Sequence, residues 1–324
     1  MSTPSENSAA SIVRACKELQ RTPFLSLLAV AAAVVVFIGM TIDTPSRWED
    51  FQRFGYFAAD AIWRGAYWGL VTSAFVHGDL LHLIFNVYWL WNLGGPLERI
   101  VGPVRFLVLL LASAFVSASI QLSTSDDTGI GASGIAYALF GFLWVAQRRQ
   151  ARFRGLIDER TTQVFLLWLV ACFPLTYLGI LNIANAAHVG GLLFGAATAA
   201  TLVTTPVGNQ KGKERGVGAT ALGALILAAS LPLVWCPWSP TWLSVRAYDA
   251  HAAEEYATAV DYYTRILGLD EENAWAYVNR SFAYASLGDM AKSEADRSRA
   301  LEIDPSIVDE TSETDAESPH PGTD

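Results

Sequence analysis

The segment 131-GASGIAYALF-140 sets a serine between glycines at the start of an apolar helix. It follows a polar loop that contains Asp126 and Asp127. Glycine leaves the Ser133 hydroxyl uncrowded, and the first amides of a helix have no intrahelical partner and point toward nearby negative charge. The motif therefore indicates one of two roles. Ser133 is a nucleophile, with Gly131 and the serine amide beside a developing oxyanion, or it is an ordinary helix cap.

Hydrophobic residues make up 52% of the 324-residue chain and charged residues only 16%, which predicts insertion into a membrane. The apolar residues fall in blocks of about 17–20 residues, close to the length that crosses the hydrocarbon core. We therefore predict an all-α polytopic membrane protein with a membrane domain over residues 24–236. Its seven predicted spans are Phe24–Ile42, His77–Leu93, Phe106–Leu122, Ser133–Ala146, Val164–Leu181, Ala187–Thr205 and Val217–Trp235. The chain has no basic stripe, so the bilayer rather than nucleic acid is its expected environment.

Basic residues lie in alternate connections between the predicted spans. They precede the first span and occur between the second and third, the fourth and fifth, and the sixth and seventh: Arg14, Lys17, Arg21, Arg99, Arg105, Arg148, Arg149, Arg152, Arg154, Arg160, Lys211, Lys213 and Arg215. Positive residues favour the cytoplasmic side of a membrane. The pattern therefore predicts a multi-pass protein of the cell or inner membrane, with residues 1–23 in the cytoplasm and the C-terminus outside.

The first outer loop, Asp43–Tyr67, is rich in aromatic residues. They are Trp48, Phe51, Phe54, Tyr56, Phe57, Trp63 and Tyr67. Aromatic rings favour the headgroup region, so we predict a loop that lies on or in the outer leaflet. An ordinary extramembrane loop is the alternative.

The segment after the seventh span is acidic, with 18 acidic and 6 basic side chains from Trp242 onward. Two stretches in it repeat at 34 residues, so that Leu267 aligns with Leu301. This period resembles the tetratricopeptide repeat and predicts a small helical domain over residues 243–306 that binds a protein partner. The first helix of the earlier copy matches poorly, and two copies are fewer than a stable array usually needs, so they pair between chains or rest on the membrane domain. Residues 307–324 are acidic and rich in Ser, Thr and Pro, and we expect them to be disordered.

Five polar residues inside the predicted spans are candidates for function, because burying such groups in lipid is costly. They are His82, Asn86, Ser133, Tyr137 and His188. His188 shares a helix face with Gly191 and Gly195, and such small residues let another helix approach. The predicted topology puts His188 at the same outer end as Ser133. The pair is then a nucleophile with its general base, or an interhelical hydrogen bond without chemistry.

Three further residues extend this pattern. Tyr137 lies one turn below Ser133, where its ring could stack on an imidazole. His82 and Asn86 stand at i and i+4, so both could donate to an oxyanion together with the Ser133 amide, or could form a polar interhelical network. We find no carboxylate in position to orient His188, so we expect a dyad rather than a triad.

Three motifs carry a resemblance to a known family: HGDLLHLIFN (77–86), GASGIAYALFG (131–141) and AHVGGLLFG (187–195). In this order, on the second, fourth and sixth predicted spans, they resemble the rhomboid intramembrane serine proteases. The resemblance extends over roughly Trp63–Thr205. It implies a rhomboid-like six-helix core to which the seventh helix is added. Gly69 stands where many relatives carry Arg, and Ser73 stands where some carry His.

The resemblance also implies site roles. Ser133 would be the nucleophile and His188 the base, while His82, Asn86 and the Ser133 amide would hold the oxyanion and Tyr137 would pack on His188. The implied substrates are membrane helices of single-pass proteins, cleaved near the outer face through an acyl-enzyme. No metal or other cofactor is expected.

Two alternatives to an active protease remain at this point. One is a catalytically inert rhomboid-like protein that binds membrane helices. The other is a scaffold whose helical-repeat tail recruits a partner.

Overall fold

Helices make up most of the chain that the structure describes. The computed structural model describes residues 22–203 and 211–307. Most of the predicted cytoplasmic segment, the Thr205 end of the sixth predicted span and the acidic tail from residue 308 lie outside the described residues. The helices are α1 (Phe24–Ile42), α2 (Ala59–Trp63), α3 (Gly69–Thr72), α4 (Leu80–Trp89), α5 (Gly95–Val101), α6 (Pro103–Ser125), α7 (Ser133–Arg149), α8 (Glu159–Tyr177), α9 (Asn185–Leu202), α10 (Lys211–Val234), α11 (Pro240–Ala252), α12 (Tyr256–Leu269), α13 (Ala274–Ser286) and α14 (Met290–Ile303). The protein is an all-α polytopic membrane protein, as predicted.

Three helices in the described ranges are long and apolar enough to cross a membrane. They are α1, α6 and residues 215–234 of α10. A fourth candidate is bent by 104° between Gly69–Phe75 and Leu80–Val101. Helices α7, α8 and α9 lie where the fourth, fifth and sixth spans are predicted, and the count of seven spans stays a prediction.

The helix of the second predicted span begins at Leu80, three residues later than predicted. The reason is a cap: the Asp79 carboxylate accepts a hydrogen bond from the His82 amide at 2.8 Å. The helix then continues through one π-helical turn, Leu90–Gly94, into α5. His77 therefore lies on the loop before the helix.

Glycines bring α7 and α9 into close backbone contact. A Cβ atom at Gly195 would stand 2.9 Å from Ala138 Cα, and one at Gly191 would overlap the carbonyl oxygen of Gly134. The predicted small-residue face of α9 is therefore confirmed, and its neighbour is α7. Both helices begin at the same end of this packed pair, which brings their first turns together.

A buried carboxylate fixes the start of α1. Glu98, on α5, accepts hydrogen bonds from the Leu25 amide at 2.9 Å, the Ser26 amide at 2.8 Å and the Ser26 hydroxyl at 2.7 Å. These amides have no partner within their own helix, because they belong to its first turn. Glu98 thus joins α5 to α1 through Ser26, a residue 72 positions away in sequence.

The aromatic loop differs from the prediction in two of its rings. Tyr56 and Trp63 are buried inside protein instead of lying open to lipid. Tyr56 packs with Met40 and Val76, and its hydroxyl donates to Asp127 Oδ1 at 3.0 Å. Packing against protein side chains thus buries two rings that the composition of the loop alone placed in the headgroup region.

The chain forms two units. Of the described residues, the first unit comprises those up to Ala58 and those within Ala66–Val234, and the second comprises Ala59–Gly65 and those from Trp235 onward. In the second unit the bounds of α13 and α14 follow those of α11 and α12 at an offset of 34 residues. Helix α11, whose sequence matches the repeat poorly, is therefore in register with α13. The predicted domain limits, 24–236 and 243–306, stay predictions.

Candidate active site

Ser133 is the first residue of α7 and makes a side-chain contact across to α9. Its Oγ lies 2.7 Å from His188 Nε2, a hydrogen-bond distance between residues 55 apart in sequence. The N-cap of α7 is Ala132, and no side chain caps this helix. Ser133 is therefore not the helix cap that the sequence left open as an alternative.

His188 lies in the first turn of α9 and is buried, with only 3% of its surface exposed. The amide of the preceding residue, Ala187, donates to Gln121 Oε1 on α6 at 3.1 Å. Gln121 thus satisfies an orphan amide of α9 and holds the turn that carries the imidazole. Gln121 was not among the residues predicted for the site, although a glutamine within an apolar span is itself a signal of function.

The Tyr137 ring packs against the His188 imidazole as predicted. The ring centroids are 4.7 Å apart and the planes are tilted by 31°. The Tyr137 hydroxyl donates to the carbonyl oxygen of Phe165 at 3.0 Å, which fixes the ring from the far side. Within the described part of the chain, His188 Nδ1 has no hydrogen-bond partner. Among the described residues, Ser133 and His188 thus form a pair, and no carboxylate orients the imidazole.

Gly131, His82 and Asn86 meet beside Ser133. Gly131 has φ +93°, a conformation that glycine tolerates, and a Cβ there would overlap His82 Nε2 and stand 3.2 Å from Asn86 Nδ2. The Gly131 amide donates to the Ser73 carbonyl at 3.1 Å. Asn86 Nδ2 donates one of its two N–H groups to the His82 carbonyl oxygen at 2.9 Å, and the second N–H can donate to another acceptor. The polar pair of α4 therefore lies at the start of α7.

His77 is a further polar residue beside this site. It precedes α4, and its side chain is fully buried. Its ring contacts that of His82 at a centroid distance of 5.0 Å, and its Nδ1 lies 3.1 Å from the Phe75 carbonyl oxygen. The bend before Leu80 turns this residue inward.

A small cavity adjoins the Ser133 side chain. Ser73, Ser117 and Thr128 are among the residues that line it, together with Gly131 and several apolar residues. Its volume is about 20 Å³, enough for a single water molecule. The cavity can thus hold one water molecule next to the Ser133 hydroxyl.

The sequence has clear relatives among known proteins. A family model described as Rhomboid domain matches residues 64–205. The chain is 41% identical over 175 residues to the Rhomboid protease GlpG of Serratia proteamaculans, which covers 53% of this chain and 60% of the relative. It is 37% identical over 180 residues to that of Pectobacterium atrosepticum, covering 54% and 62%.

A third relative, the Rhomboid protease GlpG of Salmonella paratyphi A, is 32% identical over 191 residues, covering 56% of this chain and 67% of the relative. The chain thus spans about three fifths of the length of the first two relatives. The family match includes the whole segment that carries Ser133, His188 and the polar residues of α4. This chain belongs to the rhomboid family.

Proposed function

We propose that this protein is an intramembrane serine protease in which Ser133 is the nucleophile and His188 the general base. The observation that carries the proposal is the 2.7 Å separation of Ser133 Oγ and His188 Nε2 at the start of two closely packed helices. A hydroxyl at this distance from an imidazole nitrogen can lose its proton as it attacks a carbonyl carbon. Similarity to proteins named rhomboid proteases supports the same reaction class.

The proposed reaction has two halves. Ser133 Oγ attacks the scissile carbonyl carbon and its proton passes to His188 Nε2. The carbon–nitrogen bond then breaks, the leaving amine takes that proton, and an acyl-enzyme remains. A water molecule, for which the cavity lined by Ser117 and Thr128 has room, then gives its proton to His188 and attacks the ester carbonyl. The acid product leaves and Ser133 recovers its proton.

The developing oxyanion would lie among three donors. They are the amide of Ser133, the side-chain amide of Asn86 and the ring of His82. The positive φ of Gly131 lets the backbone come close to both α4 side chains, which supports a shared role for these donors. Such preorganised donors typically contribute a large share of the rate of acyl transfer. Tyr137, packed on the His188 ring, would keep the base in place.

The proposed substrates are transmembrane helices of single-pass proteins. A helix in lipid already satisfies its own backbone groups, so its carbonyl carbons are shielded. Substrates with helix-weakening residues near the outer face would expose a short extended stretch to Ser133. The segment Gly179–Ala187, which ends within the first turn of α9, would cover the site between turnovers.

We further propose that the N-terminus is cytoplasmic and that the C-terminus lies outside. The alternation of basic loops supports this orientation. Segment Ala59–Gly65 of the predicted outer loop belongs to the same unit as α11–α14, which supports an outer position for these helices. Their 34-residue offset supports a tetratricopeptide-like domain, for which a protein partner is the expected ligand.

The experiment uses three full-length proteins and one substrate. Wild type, Ser133→Ala and His188→Ala are each reconstituted with a single-pass model substrate, and the cleavage products are measured. The proposal expects product from wild type alone. Equal product from all three would reject the dyad, and no product from any of them would favour an inert binder or scaffold.

A further inference from the structure

A short helix of the first outer loop packs against the first helix of the C-terminal unit. In α2, Ile62 is fully buried and Trp63 is 3% exposed, although the helix has only five residues. Helix α2 contacts α11, and the Arg64 guanidinium lies 5.3 Å from the centroid of the Tyr248 ring. A loop segment remote in sequence is thus part of the C-terminal unit.

The two ends of the four-helix set α11–α14 differ in polarity. Each helix of the second pair repeats the first at 34 residues, and α13 packs both on its own partner α14 and on the preceding helix α12. Where α12 has the buried residues Ala259 and Tyr263, α14 has Ser293 and the exposed Arg297. The face that would receive a further repeat is therefore polar, as is typical of the last repeat of an array.

The other end of the set is apolar. Leu243 and Val245 of α11 are buried, whereas the residues at the same positions of α13 are the partly exposed Tyr277 and Asn279. No repeat precedes α11 to cover such a face. Among the described residues, α2 is an element from outside the helix pairs that packs on α11.

We propose that Ala59–Gly65 is the N-terminal cap of the C-terminal helical domain. Its buried residues Ile62 and Trp63 take the place that a preceding repeat has in a longer array. This explains how a domain of only two helix pairs can be stable. Because the segment is joined by peptide bonds to the rest of the outer loop at both ends, order in α11–α14 and order in that loop are coupled. A partner that stabilises the helical domain would therefore also restrain the loop. This coupling is independent of the proposed proteolytic activity.

The test measures amide hydrogen exchange on the full-length protein in lipid nanodiscs. Trp63→Ala removes the largest buried side chain of the cap, and Arg64→Gln removes the cation beside Tyr248. Tyr67→Ala is the matched control, because this aromatic residue of the same loop is 44% exposed. In the reciprocal variant, Tyr248→Ala, the change is on the helical domain and the readout is exchange within Ala59–Gly65.

We expect Trp63→Ala to speed exchange in α11 and α12 by about tenfold or more, and Arg64→Gln by roughly threefold, because both raise the population of the opened domain. Exchange in α7 should be unchanged in every variant, and Tyr67→Ala should match wild type. Tyr248→Ala should speed exchange of the cap by about threefold. Unaltered exchange of α11 and α12 in Arg64→Gln, or an equal effect of Tyr67→Ala, would overturn the proposal, even if Trp63→Ala failed to accumulate.

Discussion

Gly195→Ala is expected to separate the proposed catalytic pair from a distance. The added Cβ would stand 2.6 Å from the carbonyl carbon and 2.9 Å from the Cα of Ala138, whereas ordinary contacts begin at 3.4 Å. Backbone on α7 cannot swing aside as a flexible side chain does. Helix α9 must therefore retreat from α7 by about 1 Å to restore normal packing.

This retreat reaches the site because helices move nearly as rigid bodies. Gly195 is two turns from His188, about 10 Å along the axis. An added 1 Å would lengthen the separation of Ser133 Oγ and His188 Nε2 from 2.7 Å to beyond the reach of a hydrogen bond. A misplacement of this size typically costs about a hundredfold in rate.

The assay compares kcat/KM for a single-pass model substrate in proteoliposomes. Gly223→Ala is the matched control, since it makes the same substitution in α10 with no atom within 4 Å of the new Cβ. We expect a loss of about a hundredfold for Gly195→Ala, and a rate near wild type for Gly223→Ala. A folded Gly195→Ala protein with wild-type activity would refute the link between this helix contact and the site.

Three further predictions test other parts of the structure. Asn86→Ala should lower kcat by about 10²–10³ without abolishing cleavage, because one oxyanion donor is lost; an unchanged kcat would remove this role. Glu98→Ala should destabilise the membrane domain by about 2–4 kcal/mol, measured by denaturant unfolding, because it leaves the buried Ser26 amide and the partly buried Leu25 amide without their acceptor; a loss below about 0.5 kcal/mol would contradict that account. Burial lowers the pKa of His251 below its ordinary value of 6.5, so the unfolded helical domain takes up a proton first as the pH falls below 6.5. The stability of the helical domain should therefore fall as the pH falls. Hydrogen exchange should show that this stability depends less on pH in His251→Gln than in wild type; identical pH profiles would show that His251 does not cause the dependence.

The contact between Ser133 and His188 was predictable from the helical period and the predicted topology, whereas their catalytic roles are what the family resemblance implies. His188, Gly191 and Gly195 recur at intervals that align on α9, and the small residues indicate a close neighbour. Polar groups at the same depth in two apolar helices are then expected to meet. The observed contact between Ser133 and His188 agrees with that reasoning.

The supporting contacts were not predictable because their partners are backbone groups far away in sequence. Glu98 and Gln121 each satisfy amides at the start of another helix, 72 and 66 residues distant. A polar residue in an apolar segment signals that some partner exists, but not which one. The burial of Trp63 was not predictable for a related reason: it depends on a remote helix, α11, which local composition does not encode.

The most direct measurement of the central claim is covalent labelling with a fluorophosphonate, followed by identification of the modified residue. The reagent forms a bond from an activated serine oxygen to phosphorus with loss of fluoride, so it reports on the nucleophile without a substrate. We expect one adduct, on Ser133, absent in Ser133→Ala and strongly reduced in His188→Ala. Cleavage of a substrate by a protein whose Ser133 stays unlabelled, or an adduct on a different serine, would contradict the account.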